Sequence, residues 1–266
     1  MLSEIIKKSK KIVIKIGSHT ISDDTGKVNF EIMSNIVEQI NDLIDEGKKV
    51  IVVSSGAGIC GIAAINKWNR KEDINYKQAL CAIGQVELMN AYKALFAKHG
   101  IIVAQMLLTR EDFSDHMRTL NIRNTLFTLV DEGVITIINE NDSVSVEEIK
   151  IGDNDTLAAL TANLWNADLL ILLSDIDGVY DKNPKDHKNA ELIEEVYDID
   201  SLLEEIDARG KSKFGTGGII TKISAARKVN EYGIPMILTN GKKKDILKKL
   251  CLREEKATVF LGQQTS

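Results

Sequence analysis

Five clusters in the chain combine residue types and spacings suited to handling anions. Lys15 ends an apolar run and precedes Gly17-Ser18. A lysine so placed either aims its ammonium into a crevice or snorkels to water, and a neighbouring glycine lets a ligand approach the backbone. Gly56-Ala57-Gly58-Ile59-Cys60-Gly61 matches the dinucleotide pattern G-x-G-x-x-G. That reading also needs an acid at the end of the next strand, about twenty residues on. Here that region is Lys71–Asp73, inside a polar connection, so a nicotinamide-dependent oxidoreductase is the weaker alternative. A glycine loop opening a helix still offers backbone N–H groups to a phosphate or carboxylate.

Asn139-Glu140-Asn141-Asp142 and Gly152-Asp153-Asn154-Asp155 are dense in short polar groups. One of these would suffice to cap a helix. Several together suit a site that grips an ammonium and a carboxylate at once, or metal ions, although calcium-loop spacing is not met. Asp175 follows an apolar strand, where an acid can orient cationic groups, whereas Asp177-Gly178 reads as a turn. Gly215-Thr216-Gly217-Gly218-Ile219-Ile220-Thr221-Lys222 holds three glycines in four positions. It reads as either a flexible turn or a phosphate-cradling loop; no Walker motif is present, but Lys222 ends it where a point charge reaches a phosphate.

The elements that must position these residues alternate in type. Strands are expected at Lys11–Ile16, Lys49–Ser55, Ile101–Leu108, Val134–Asn139, Asp168–Ser174, Pro235–Thr239 and Ala257–Leu261. Helices are expected at Phe30–Glu46, Gly58–Trp68, Tyr76–His99, Met117–Glu132, Asn154–Trp165 and Lys222–Tyr232. Ser143–Lys150 reads as a hairpin standing off the sheet. Apolar strands separated by helices predict a three-layer α/β/α sandwich with a mainly parallel central sheet. Ligands of such sheets lie beyond the carboxyl ends of the strands, which is where the clusters fall.

Lys and Arg number 34 against 39 Asp and Glu, a formal charge of −5, which argues against a nucleic-acid partner. The lysine runs Lys7–Lys11 and Lys242–Lys244 read as solvated ends. Cys60, Cys81 and Cys251 form no CxxC pair and read as small core hydrophobes in a reducing compartment. No signal core follows the N-terminus and no apolar run nears the ~20 residues of a membrane span, so no membrane and a cytoplasmic location are expected.

In this order the clusters resemble the amino-acid kinase family, and within it the branch acting on glutamate. The matching stretches are Val13–Ser18, Val53–Ala57, Gly84-Gln85, Gln105–Thr109, Leu120–Leu126, Ile138–Asp142, Gly152–Asp155 and Gly215–Gly218. The resemblance implies MgATP and glutamate as substrates, proline biosynthesis as the pathway, proline as feedback inhibitor, hand-over to glutamyl phosphate reductase, and a homo-oligomer. It implies an amino-acid lobe over about 1–167, a nucleotide lobe over about 168–262 and a polar tail at 263–266. It implies that Lys15, Lys222 and Asp175 are catalytic, with Asp175 organising the two lysines. Lys15, Ser174, Asp175, Thr216, Gly217, Gly218, Ile219, Ile220, Thr221 and Lys222 would line the ATP site. Ser55, Gly56, Asn139, Asp142, Asp153, Asn154 and Asp155 would surround the amino acid, and no resident metal is implied. Another acidic substrate of the same family is the nearer alternative. Two departures stand out: Gly58 replaces a larger apolar residue, and the chain has no room for the C-terminal PUA domain many members carry.

Overall fold

A computed structural model describes residues 1–23, 28–65, 73–145, 154–184, 186–209 and 218–261. Their strands are β1 (Lys11–Ile16), β2 (Lys49–Ser54), β3 (Val103–Leu108), β4 (Ile135–Glu140), β5 (Leu169–Ser174), β6 (Glu195–Val196), β7 (Met236–Asn240) and β8 (Thr258–Phe260). They form one sheet in the order β3-β4-β2-β1-β5-β7-β8-β6. All pairs are parallel except β7 with β8. The chain builds outward from β1 through β2 on one side and through β5 on the other. The crevice at their carboxyl ends is therefore a topological switch point, where open α/β sheets hold ligands.

The helices are α1 (Leu2–Lys8), α2 (Phe30–Asp45), α3 (Ala57–Ile65), α4 (Ile74–Ala97), α5 (His116–Asp131), α6 (Asp155–Trp165), α7 (Ile199–Arg209), α8 (Gly218–Asn230) and α9 (Ile246–Leu252). Short acceptors start three of them: Asn29, Asp73 and Asp115 take the backbone N–H of Ile32, Tyr76 and Arg118. Alternation along the strands divides the core in two. Ile12, Ile14 and Ile16 of β1 join one cluster with Val50, Val52 and Leu169 beneath α2, α4 and α9. Val13 of β1 joins the other with Ile51, Val53 and Leu170 beneath α5, α6 and α8. The three-layer sandwich expected from the strand pattern is thus what the chain forms. The possible hairpin at Ser143–Lys150 falls mostly outside the described residues.

The lysines of both runs are exposed as expected except for one in each, Lys11 and Lys243. Lys11 Nζ donates to the Trp165 carbonyl at 2.5 Å and stands 5.0 Å and 5.6 Å from the ring centroids of Trp165 and Phe127. Burial pulls its pKa below the ordinary lysine value. Lys243 Nζ lies 2.9 Å from Glu255 and 3.3 Å from Asp177.

Candidate active site

Lys15 is the fifth residue of β1, paired in register with Val53 of β2 and Leu172 of β5, so it stands at the middle of the sheet. Two residues from Val13, it shares that residue's face, the one covered by α6 and α8. Only 5% of its surface is exposed. An ammonium that deep needs a partner. It has Asp155, the first residue of α6, whose Oδ1 lies 2.5 Å from Lys15 Nζ. The other oxygen of Asp155 takes Lys222 Nζ, from the second turn of α8, at 3.0 Å. The Asp155 side chain is wholly buried. One carboxylate therefore joins two ammonium groups drawn from segments 207 positions apart.

The family resemblance implies Asp175 as the residue that organises the two lysines. In this structure Asp155 touches both lysines, whereas Asp175 is exposed and accepts from the Ser174 hydroxyl at 3.2 Å. The physical reason is direction: Asp155 opens a helix that packs on the lysine face of β1, while Asp175 leaves the end of β5 toward solvent. Ser174 is buried at that strand end. Beside it, Asn240 of β7 donates to Asp177 Oδ1 at 3.0 Å. With Lys243 this makes a polar cluster that the turn reading of Asp177 missed.

The residues expected around an amino acid converge behind the lysines. Asn154 sits at the N-cap of α6 but its side chain caps nothing. Its Nδ2 instead donates to Ser55 Oγ at 2.9 Å and to Asn139 Oδ1 at 2.7 Å. An N-cap bond stabilises a helix by roughly 1 kcal/mol, so a side chain turned away from it has been recruited elsewhere. Ser55, Asn139 and Asn154 are all at least nine-tenths buried. Asn139 Nδ2 also donates to Oε1 of Gln85 on α4, a residue whose role no spacing in the sequence signals. A cavity of roughly 410 Å³ opens beside this chain, and its walls include Cys81, Gln85, Glu140 and Asp142. Burial pushes the Asp142 carboxyl up to about 6, against a weaker opposing effect of its hydrogen bond with Cys81. Asp153, Thr216 and Gly217 lie outside the described residues. Gly218, Ile219, Ile220 and Thr221 form the first turn of α8, and Thr221 Oγ1 adds a 3.3 Å contact to Asp155.

The glycines of the dinucleotide-like loop have other tasks. Gly56 has φ +116°, and a Cβ there would lie 2.5 Å from Ile21 Cδ1. Gly61 of α3 and Gly84 of α4 let the two helices touch through their backbones. A Cβ on Gly61 would sit 1.9 Å from the Leu80 carbonyl oxygen, and one on Gly84 1.7 Å from that of Ala57. The third glycine therefore serves helix packing. At Gly58 a Cβ would meet only Cys81 Sγ, at 3.5 Å, so an alanine there would make ordinary contact.

Among the described residues no group of three or more His, Cys, Asp or Glu could hold a metal ion, and no helix is long and apolar enough to cross a membrane. The site thus joins two lysines on one buried carboxylate, beside a buried run of amide and hydroxyl groups from Ser55, Gln85, Asn139 and Asn154.

Both the fold and the sequence have relatives among known proteins. The fold is shared with the crystal structure of UMP kinase from Ureaplasma parvum, at TM-score 0.66 and 18% identity over 96% of this chain and 99% of that one. The sequence is 66% identical to the glutamate 5-kinase of Alkaliphilus metalliredigens (strain QYMF), covering 98% of both proteins. It is 65% identical to that of Alkaliphilus oremlandii (strain OhILAs), over 99% of this chain and 100% of the relative. The model of the amino acid kinase family matches residues 10–240, a stretch that holds both lysines, Asp155 and the buried amides between them, and the chain belongs to that family.

Proposed function

We propose that the chain transfers the γ-phosphoryl group of ATP to the side-chain carboxylate of glutamate, giving γ-glutamyl phosphate for proline synthesis. The observation that carries the reading is the meeting of Lys15 and Lys222 on one buried carboxylate. The name shared by the full-length relatives supports glutamate as the acceptor.

Glutamate's side-chain carboxylate is already a nucleophile, so no general base is needed. The difficulty is that an anionic oxygen must approach an anionic phosphoryl group. Catalysis then consists of positioning and charge stabilisation. Lys15 from the sheet and Lys222 from α8 neutralise the transferring group, and Asp155 holds both ammoniums apart and in place. Mg²⁺ arrives on ATP as part of that substrate. Ser174, Asp175, Gly218, Ile219, Ile220, Thr221 and, with them, Thr216 and Gly217 line the nucleotide side. Ser55, Gly56, Asn139, Asp142, Asp153 and Asn154 hold glutamate, with the Asp142 carboxylate facing its ammonium. Proline as inhibitor, hand-over of the labile product to glutamyl phosphate reductase, a homo-oligomeric state and a cytoplasmic location belong to the same reading.

Hydroxylamine trapping tests it. The purified chain should form γ-glutamyl hydroxamate only with glutamate, ATP and Mg²⁺ together. Equal rates with aspartate, acetylglutamate or carbamate in place of glutamate would move the substrate elsewhere in the family, and formation suppressed by proline would support the feedback reading.

A further inference from the structure

The amide chain behind the lysines has a forced polarity that leaves one donor and one acceptor over. The backbone N–H of Glu140 can only donate, so the Asn139 atom 2.9 Å from it is the oxygen Oδ1. Asn139 Nδ2 then faces Gln85 at 2.8 Å and must meet an acceptor there, Oε1. On its other side Asn139 Oδ1 is approached by Asn154 at 2.7 Å, so Asn154 presents Nδ2, which also donates to Ser55. Gln85 Nε2 and Asn154 Oδ1 are what remain. Both are buried, and neither has a hydrogen-bond partner among the described residues. Burying such a group unpaired is destabilising, because it has given up its hydrogen bonds to water for nothing. Flipping either amide would set donor against donor or acceptor against acceptor along a chain anchored on Glu140 N–H.

Resting on the glutamate reading, we infer that Gln85 is a further amino-acid-binding residue, whose Nε2 donates to the substrate carboxylate that does not react. Position selects that carboxylate. Asp155 lies between the lysines at the reacting end; its neighbour Asn154, then Asn139, then Gln85 lead away from it bond by bond. Gln85 also shares its cavity with Asp142, whose carboxylate suits the ammonium. A donor at Gln85 with acceptors at Asp142 and Asn154 Oδ1 complements the two groups on the α-carbon of an amino acid. The donor meets a charged oxygen in glutamate and a neutral one in glutamate α-amide, and charge-assisted bonds are roughly twice as strong.

Gln85→Glu separates this role from a structural one. It keeps an oxygen for Asn139 Nδ2 but replaces the spare donor with a second carboxylate oxygen. That oxygen repels a carboxylate and accepts from an amide. The readout is the ratio of kcat/KM for glutamate to kcat/KM for glutamate α-amide. Relative to the parent, Gln85→Glu should lower it by about 10- to 100-fold, through KM for the amino acid and with KM for MgATP unchanged. Ile83→Glu places the same charge on the same helix at a residue 39% exposed and outside the cavity lining, and should leave the ratio within about threefold. If Gln85→Glu does not melt cooperatively, Gln85→Met, which fills similar volume without polar atoms, should lower the ratio too. An active parent whose ratio is unchanged by the folded Gln85 variant overturns the inference alone. A parent that phosphorylates neither compound overturns the glutamate reading, and this inference with it.

Discussion

Lys15 and Lys222 reach the same buried carboxylate, so each alone leaves the other paired and the fold intact. Replacing either by alanine should therefore act on the transition state. Removing one preorganised donor typically lowers turnover by about 10²–10³-fold. We expect that loss in kcat for Lys15→Ala and Lys222→Ala with a much smaller change in KM for glutamate; steady-state kinetics showing the loss in KM instead would remove the lysines from the phosphoryl group. Asp142 belongs to the opposite end of the substrate and should respond to pH. Its carboxyl is pushed up to about 6 by burial. The anion is the form that holds an ammonium, so KM for glutamate should climb as pH falls below about 6, approaching tenfold per unit. In Asp142→Asn it should be high and flat across the same range. Stability runs the other way. A folded-state pKa above the ordinary 3.8 means the fold favours the protonated acid, a contribution complete at low pH and lost as pH rises through about 6. Asp142→Asn should thus be the more stable protein at pH 8, by up to roughly 3 kcal/mol, and lose that advantage in denaturant titrations near pH 4.

At the scale of elements, the contact between α3 and α4 sets where Gln85 stands, because Gly84 precedes it in the helix. The two helices meet through bare backbone, and a methyl at Gly84 would overlap the Ala57 carbonyl oxygen at 1.7 Å. Gly84→Ala should push the helices apart, costing about 1–3 kcal/mol or more, and raise KM for glutamate with it. Thermal melting would register the first at about 2–4 °C per kcal/mol. Gly58→Ala, beside Ala57 in the first turn of α3 but with only Cys81 Sγ near the added methyl, should instead gain up to ~0.5 kcal/mol from lost chain freedom in the unfolded state. A Gly84→Ala protein melting with the parent would mean that the contact is looser than its geometry. These same elements mark what the sequence made legible. β1, β2, β4 and β5 are largely apolar runs with polar residues at their carboxyl ends, and both the strands and the polar clusters that follow them are legible. α1, α7 and α9 were not. α1 and α9 are one to two turns long, lysine-rich, and held by tertiary contacts such as Ser3 Oγ donating to the Cys251 carbonyl and Lys48 Nζ donating to the carbonyls of Ile6, Lys7 and Ser9. No local period reveals a clasp of that kind. The bridging role of Asp155 was hidden for a related reason: a carboxylate at a helix start looks like a cap until the strand it faces is known.

At the scale of the whole molecule, the proposed lobes meet inside one sheet. β1 and β5 lie on opposite sides of the boundary near residue 168, yet five residues of each pair in register, from Ile12 with Leu169 to Ile16 with Leu173. Both hydrophobic clusters cross the same line: Ile12, Leu169 and Ile237 share one, Val13, Leu170 and Met236 the other. Neither lobe can lose its strands without exposing the core of its neighbour, and the Lys15–Asp155–Lys222 contact spans the boundary too. The chain should therefore unfold in a single transition rather than in two. Trp165 is buried in the second cluster, close to the boundary, so its fluorescence should change in step with backbone circular dichroism. Calorimetric and van't Hoff enthalpies should agree. A ligand bound to either side then stabilises everything at once: MgATP at a hundredfold excess over its dissociation constant adds about 2.7 kcal/mol to the whole transition. If MgATP instead splits the melt, shifting one part and leaving Trp165 to change at the parent temperature, the lobes are energetically separate. The two lysines would then be brought together by domain closure rather than held ready by the sheet.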